Sequence, residues 1–575
     1  MPLFELLPDI FVPTFEIKVD GAPLREDVAK QIMQVSVTQT LADPSNFSFQ
    51  LYDPKLELIN PENGLFTEGK KVEISLGYVG NLRKMITGKI SSLTADFPAS
   101  GPPTLQVEGF DFLHDLTRGT AHNSSGGDDP DSSPPDSQLV SDEAAREGLS
   151  VNVDGTPART LPRVQVHTTS FAFLQNLALW NGYLLWAEDG TLFFKRDRPP
   201  SGSIMLEWGK TLLSFSPRFS TVGQVNTVEV RRWDPIQKQT ISGRKERPPT
   251  EPAEVAATGQ EQIARGSGGH SELVITDAPV SSGQDAELLA DAILSSLLQS
   301  TVTGSGASVG NPDLGAGILI EIKGTGRRFD NNYRVTRVTH TVSESGYQCS
   351  FEVNSALNLF GFSSSTDDLL SPSSGHDRGR MSGLAVGIVM ANKDPHGLGR
   401  IKVKLPALSD EIGHWTRVAT LMAGKERGSF FLPEVDDEVL VAFEQGDIAR
   451  PYIIGALWNG QDKPPDVNAD GKNNLRFIKS RSGHIVRLDD TDGKEKIEII
   501  DKSGGNSVTF DAASNTITIK SAKDVVIEAP QGKISLSAKS IEVKSSAETK
   551  VEAQSTMNLK ASATMTIKGA RVNIN

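Results

Sequence analysis

Beyond residue 515, apolar residues recur in pairs separated by a single position: Ile517/Ile519, Val525/Ile527, Ile534/Leu536, Ile541/Val543, Thr549/Val551, Met557/Leu559, Met565/Ile567 and Val572/Ile574. Successive pairs start 8, 9, 7, 8, 8, 8 and 7 residues apart. A period near eight is too short for a helical repeat unit. It suits a ribbon of short strands, because alternate side chains of a strand share a face. The residue after each pair is usually polar: Lys520, Glu528, Ser537, Lys544, Glu552, Lys560 and Lys568. Small residues, including Ser545-Ser546 and Ala561-Ser562, suit the intervening turns. The ribbon therefore has one apolar and one charged face.

Such a ribbon is not self-sufficient. Two buried side chains contribute about 1.5–3 kcal/mol each, whereas ordering eight backbone units opposes folding by about 1–2 kcal/mol each. Several copies wound together share one dry interior and pair every strand edge. The period thus predicts an oligomeric β-prism, and a triangular tube, the smallest closed section with flat faces, suggests three copies. A single-chain β-helix fits less well, since its three-faced circuit needs more than eight residues. A disordered tail gives no reason for registered apolar pairs.

The remainder of the 575-residue chain is long enough for several structural units. Segment 1–120 reads as a barrel-like, mostly strand region: Phe15/Ile17/Val19, Val35/Val37, Phe47/Phe49/Leu51 and Val72/Ile74/Leu76 alternate, and a short helix follows at Phe110–Leu116. Within the low-complexity stretch 121–160, HNSSGGDDPDSSPPDSQLV (122–140) reads as a surface insertion without a core. Region 161–365 reads as α+β, with helices at Phe171–Trp180 and Ala286–Leu298 and a polar, Pro-rich extension at 241–270. A Ser/Asp/Gly-rich linker at 366–380 precedes five or six short strands at 381–465, a pattern expected of a small Greek-key barrel.

Stretches GRIKVKLPALSD (399–410), HWTRVATLMAGKERGSFFLPEVDDEVLVAFEQGDIARPYIIGALWNG (414–460) and KPP (463–465) resemble the central domain of the valine-glycine repeat (VgrG-like) spike proteins of contractile injection systems, found in type VI secretion and phage tails. The resemblance implies a gp27-like hub of barrel domains over 1–365, an oligonucleotide/oligosaccharide-binding (OB) barrel at 381–465 and an intertwined trimeric β-needle at 466–575. It further implies a homotrimer contacting the inner tube ring and baseplate wedge proteins, with a conical PAAR-like tip protein at Val572, Asn573, Ile574 and Asn575. The needle core is then formed by Ile517, Ile519, Val525, Ile527, Ile534, Leu536, Ile541, Val543, Val551, Met557, Leu559, Met565, Ile567, Val572 and Ile574.

Other chemistry finds little support. With 58 basic against 72 acidic residues, net −14, the chain lacks the dense basic footprint of a nucleic-acid binder. Its single cysteine, Cys349, lies in an alternating run and is expected to be buried, with neither disulfide nor Cys-rich metal cluster. His396, His414 and His484 have no metal-ligand spacing and are expected in surface or local hydrogen-bonding roles. Trp415 and Trp458 read as core or subunit-interface anchors, Arg417 as an ion-pair or packing residue, and Asp436, Asp437 and Glu438 as turn formers. Neither a nucleophile elbow nor a His-Glu-x-x-His motif is present. No enzyme activity, metal or cofactor is expected. The N-terminus has no basic leader or long apolar span, so cytoplasmic assembly, followed by residence in the particle baseplate and release on firing, is expected to proceed without a cleaved signal or transmembrane segment. The expected function is membrane puncture; a glycan-binding tail fibre and a cell-wall hydrolase are the alternatives.

Overall fold

The computed structural model describes residues 12–41, 43–60, 64–125, 133–158, 162–196, 204–220, 225–246, 271–278, 280–299, 301–354, 381 and 383–574. Two compact units are present, 1–461 and 462–575. The chain is mostly β, with a small closed barrel, as the alternation predicted.

A 13-stranded sheet dominates the first unit. Alternating apolar residues of Pro13–Val19, Ile32–Thr40, Asn46–Tyr52, Lys71–Tyr78 and Thr104–Asp111 point into one core, where Val35, Val37, Phe47, Phe49, Ile74 and Leu105 are buried. The sheet does not stop near residue 120. Asn331–Ser343 pairs antiparallel with Ile32–Thr40, and Gly346–Val353 and Val302–Val309 continue beyond it. Sequence-distant strands thus share one hydrophobic core, which includes Tyr333, Val338 and Phe351.

Cys349 is buried in this sheet beside His340. His340 donates from Nε2 to the Leu314 carbonyl at 2.8 Å, so its Nδ1 accepts from the Tyr347 hydroxyl at 2.8 Å, with Cys349 Sγ 3.3 Å away. Burial holds His340 down at about 4 and pushes the Cys349 thiol up to about 11. Neutral, hydrogen-bonded and sealed from water, these groups tie adjacent strands together.

A second core contradicts the reading of 122–140 as a coreless insertion. Residues 126–132 lie outside the described residues, but Ala121–Ser124 pairs with Val164–Thr168, and Asp136–Arg146 is a helix whose Val140 and Ala144 are buried. Its anchor is polar: Arg163 meets Asp136 at 3.0 and 3.2 Å, with their side chains 4% and 0% exposed, and stacks over Trp180 at 4.5 Å. The Asn181 amide donates to the same carboxylate at 2.8 Å. Helix Ser170–Asn181 begins at the Thr169 cap and ends at left-handed Gly182 (φ 66°), followed by a hairpin of Leu184–Glu188 and Thr191–Lys195.

The 241–270 reading changes in part. Gln239–Glu246 is a strand paired with Thr227–Asp234 and covered by helix Gly283–Gln299; Gly243 leaves room for the backbone at Ala286 and Glu287, where any Cβ would collide. The rest of the extension, 247–270, and the linker at 366–380 lie outside the described residues.

Five strands, Leu384–Ala391, Ile401–Leu405, Ser409–Val418, Glu438–Glu444 and Asp447–Leu457, close the barrel. Two further short strands, Ala423–Gly424 and Arg427–Gly428, pair outside the barrel. Val166 of the preceding region enters the barrel core, and Arg232, 4% exposed, pairs with Asp447 at 2.5 Å. Arg450 donates to the Trp233 carbonyl at 3.0 Å. Barrel and hub therefore form a single packed body.

Replacing Asp136 by Ala removes the acceptor from a buried guanidinium. The expected loss is about 3–5 kcal/mol, read as a lowered thermal midpoint of the full chain, while exposed Asp142→Ala shifts stability by under about 0.5 kcal/mol.

Candidate functional site

The second unit begins with a five-stranded antiparallel meander, Leu475–Lys479, Ile485–Asp489, Lys496–Ile500, Ser507–Asp511 and Thr516–Lys520. Within 475–520 successive strands pair in one chain. Asp489, Asp501 and Asp511 cap its turns, accepting from the Thr491, Asn506 and Ser514 amides at 3.0, 3.2 and 2.8 Å. The Thr491 hydroxyl on Asp489, the Ser503 hydroxyl on Asp501 and the Ser514 amide on Asp511, helped by the other bonds, keep the three carboxyls below the ordinary range.

Beyond Lys520 the described chain contains no strand, and its backbone bonds are local, such as Gly532 N–H to the Ala529 carbonyl at 3.1 Å. Every repeat pair is solvent-facing. Ile517, Ile519, Val525, Ile527, Val551, Met557, Leu559, Met565 and Ile567 are exposed, while Ile534, Ile541 and Val572 at 53, 56 and 47% are less open than their partners Leu536, Val543 and Ile574 at 75, 74 and 86%. The opposite face is charged. Glu542 meets Lys544, and Lys550 meets Glu552, both at 2.5 Å, with each pair's members two residues apart and flanking an apolar position. Among the described residues these apolar rows have no apolar partners and this stretch of backbone has no ladder partners. Among the expected tip-facing residues, Val572, Asn573 and Ile574 are exposed, and Asn575 lies outside the described residues.

On the barrel, Asp394 organises the loop after the first strand. Its carboxylate accepts from the amides of His396, Leu398 and Arg400 at 3.0, 3.0 and 3.1 Å and from Arg400 Nε at 3.0 Å. Burial opposes the charge, but the Arg400 guanidinium and these amides prevail and hold the carboxyl at about 2. Arg417 lies over the Tyr452 ring at 5.4 Å instead of in an ion pair. Asp436 is in a left-handed turn (φ 74°), and Asp437 accepts from the Glu434 amide at 2.8 Å. His414 departs from its expected surface role: it is buried, its Nε2 has no hydrogen-bond partner, and desolvation lowers it to about 4. Trp458 is 70% exposed and thus outside the single-chain core. The segment between the third and fourth barrel strands exposes Leu421, Phe430 and Phe431 at 98, 79 and 68%, a second uncovered apolar patch.

Sequence reading missed Asp111. Burial raises its carboxyl to about 7, a value suited to acid-base chemistry, yet its two oxygens accept from the Ser45 and Leu113 amides at 3.0 Å each, which makes it a cap. The Asp-Phe-Leu junction before a short helix carried that signal. Among the described residues no group of three or more His, Cys, Asp or Glu could hold a metal ion, and no helix is long and apolar enough to cross a membrane.

Comparison with known proteins places these features. The family described as the Alg8 N-terminal domain matches residues 10–344, more than half of the chain. The chain belongs to this family. Its barrel, 385–458, matches the type VI secretion system/phage-baseplate injector OB domain. The type VI secretion system spike proteins VgrG1a and VgrG1b of Pseudomonas aeruginosa are 27 and 26% identical to the chain over 222 and 207 residues, which are 35 and 32% of it. The chain spans 34 and 28% of these relatives' lengths. A chain of the Francisella PdpA–VgrG complex, half-lidded, shares the fold at a TM-score of 0.53 and 10% identity, over 89% of this chain and 88% of that one. The protein thus resembles VgrG-like spike and phage-tail hub proteins.

Asp394 generates a pH prediction. Its folded pKa lies below its unfolded value, so its contribution is complete above about pH 4 and lost as pH falls towards 2. Thermal unfolding of wild type and Asp394→Asn should show a gap that narrows between pH 5 and 2; an unchanged gap contradicts the assignment.

Proposed function

We propose that three copies of this chain form the central spike of a contractile injection system, with the repeat as its needle. The observation carrying this reading is the run of pairs from Val525/Ile527 to Val572/Ile574, uncovered in one chain and backed by a charged face. Three ribbons turned inward bury both members of each pair and satisfy every strand edge, while the charged positions keep the shaft soluble. Similarity of the barrel to the injector OB domain, and of the chain to VgrG spike proteins, supports the same reading.

Mechanically, a tube driven forward by sheath contraction concentrates force on the narrow needle, and a laterally hydrogen-bonded shaft resists bending because many bonds must distort together. No chemistry at the membrane is required, which fits a non-enzymatic chain without cofactor. The hub sheet over 13–353 is the surface for the inner tube ring and baseplate wedge proteins. The Val572–Asn575 end is the seat of a PAAR-like tip protein. VgrG occurs with another protein in the Francisella PdpA–VgrG complex, which supports partners of this kind. The spike assembles in the cytoplasm, resides in the baseplate and leaves on firing.

The expected native mass of the full chain is three times its 61.9 kDa. Ile541→Asp combined with Val543→Asp places two carboxylates per copy in the dry interior and should shift the population towards single chains. A wild type that stays a single chain overturns the proposal. Labelled copies should also lie on the axis of contractile particles; an off-axis position indicates a fibre instead.

A further inference from the structure

The outward face of the repeat changes character along its length. Between residues 521 and 552 the repeat as a whole is balanced, with five basic residues (Lys523, Lys533, Lys539, Lys544, Lys550) and five acidic ones (Asp524, Glu528, Glu542, Glu548, Glu552). Between 553 and 574 no acidic residue occurs, while Lys560, Lys568 and Arg571 remain. In a chain of net charge −14 this is a local reversal of sign.

These cations also differ in their surroundings. The balanced section contains the Glu542–Lys544 and Lys550–Glu552 ion pairs, whereas Lys560, Lys568 and Arg571 are exposed and no described carboxylate lies within ion-pair distance of them. Their register sets their direction. Lys560 follows Met557/Leu559, Lys568 follows Met565/Ile567, and Arg571 precedes Val572/Ile574, so all three fall on the face opposite the apolar pairs. The other positions of that face, Thr556, Asn558, Thr564, Thr566 and Asn573, are polar and uncharged.

From these placements we infer that the wall formed by residues 553–571, next to the tip seat, is an attachment surface for anionic lipid headgroups. The inference rests on the needle reading, in which three copies set three such rows around one shaft. Protein interfaces are organised by apolar or aromatic anchors and depleted of Lys at their centre, and this face has no anchor. A nucleic-acid groove needs a denser basic track with stacking aromatics. Sparse, unpaired cations on a polar wall instead suit a diffuse anionic plane such as a phospholipid surface, where attraction adds per Lys or Arg and decays within a Debye length.

The test uses the full chain, with flotation on phosphatidylcholine vesicles with and without phosphatidylglycerol and native mass measured on the same preparation. Wild type should bind the phosphatidylglycerol vesicles and release them in high salt. The variant Lys560→Gln/Lys568→Gln/Arg571→Gln should bind at least tenfold more weakly at unchanged mass, whereas Lys523→Gln/Lys533→Gln/Lys539→Gln should bind like wild type. Equal binding to neutral vesicles, undiminished binding by the first variant, or equal retention on duplex DNA at the same salt overturns the inference. A single-chain mass for wild type overturns the trimeric needle, and the wall inferred from it, whereas a trimeric wild type that ignores phosphatidylglycerol overturns the lipid assignment alone.

Discussion

Nearly every eight-residue level of the repeat presents two apolar side chains and a backbone without ladder partners among the described residues, and one chain has nothing to set against either. Water solvates an exposed edge readily but leaves the apolar rows exposed. Burying the rows within one chain demands a longer circuit than eight residues. Covering by further copies answers both conditions at once, and the proposed trimer is built on that.

The rest of the molecule is built to stand alone. In the first unit, strands from 13–111 and 302–353 complete one sheet, and the barrel shares buried aliphatics and the Arg232–Asp447 pair with the region before it. Such long-range closure ties sequence-distant strands into a common core. The meander at 475–520 occupies a middle position: its strands begin nine to eleven residues apart, enough for a hairpin turn, so one chain supplies its own ladder.

Period-two alternation made most strands legible, and the apolar Phe173, Leu174 and Leu177 made the helix expected at Phe171–Trp180 so. The eight-residue spacing exposed the repeat, because register is a local property of sequence. The meander was harder: its Asp-Gly and Gly-Gly turns signal hairpins, but the same alternation runs through the repeat beyond and merges the two. The helix Asp136–Arg146 was hidden by its polar composition, since its anchor is Arg163, 27 residues away. Asp111 and His414 were missed for a related reason: partners and burial come from tertiary packing, whereas their neighbours in sequence look ordinary.

Amide hydrogen exchange along the full-length protein tests the central claim most directly. If separate chains close around a shared dry interior, amides in the strands of 525–574 exchange slowly, with protection comparable to the 475–520 meander in the same sample. Free-chain exchange throughout 525–574, alongside a protected meander, contradicts it.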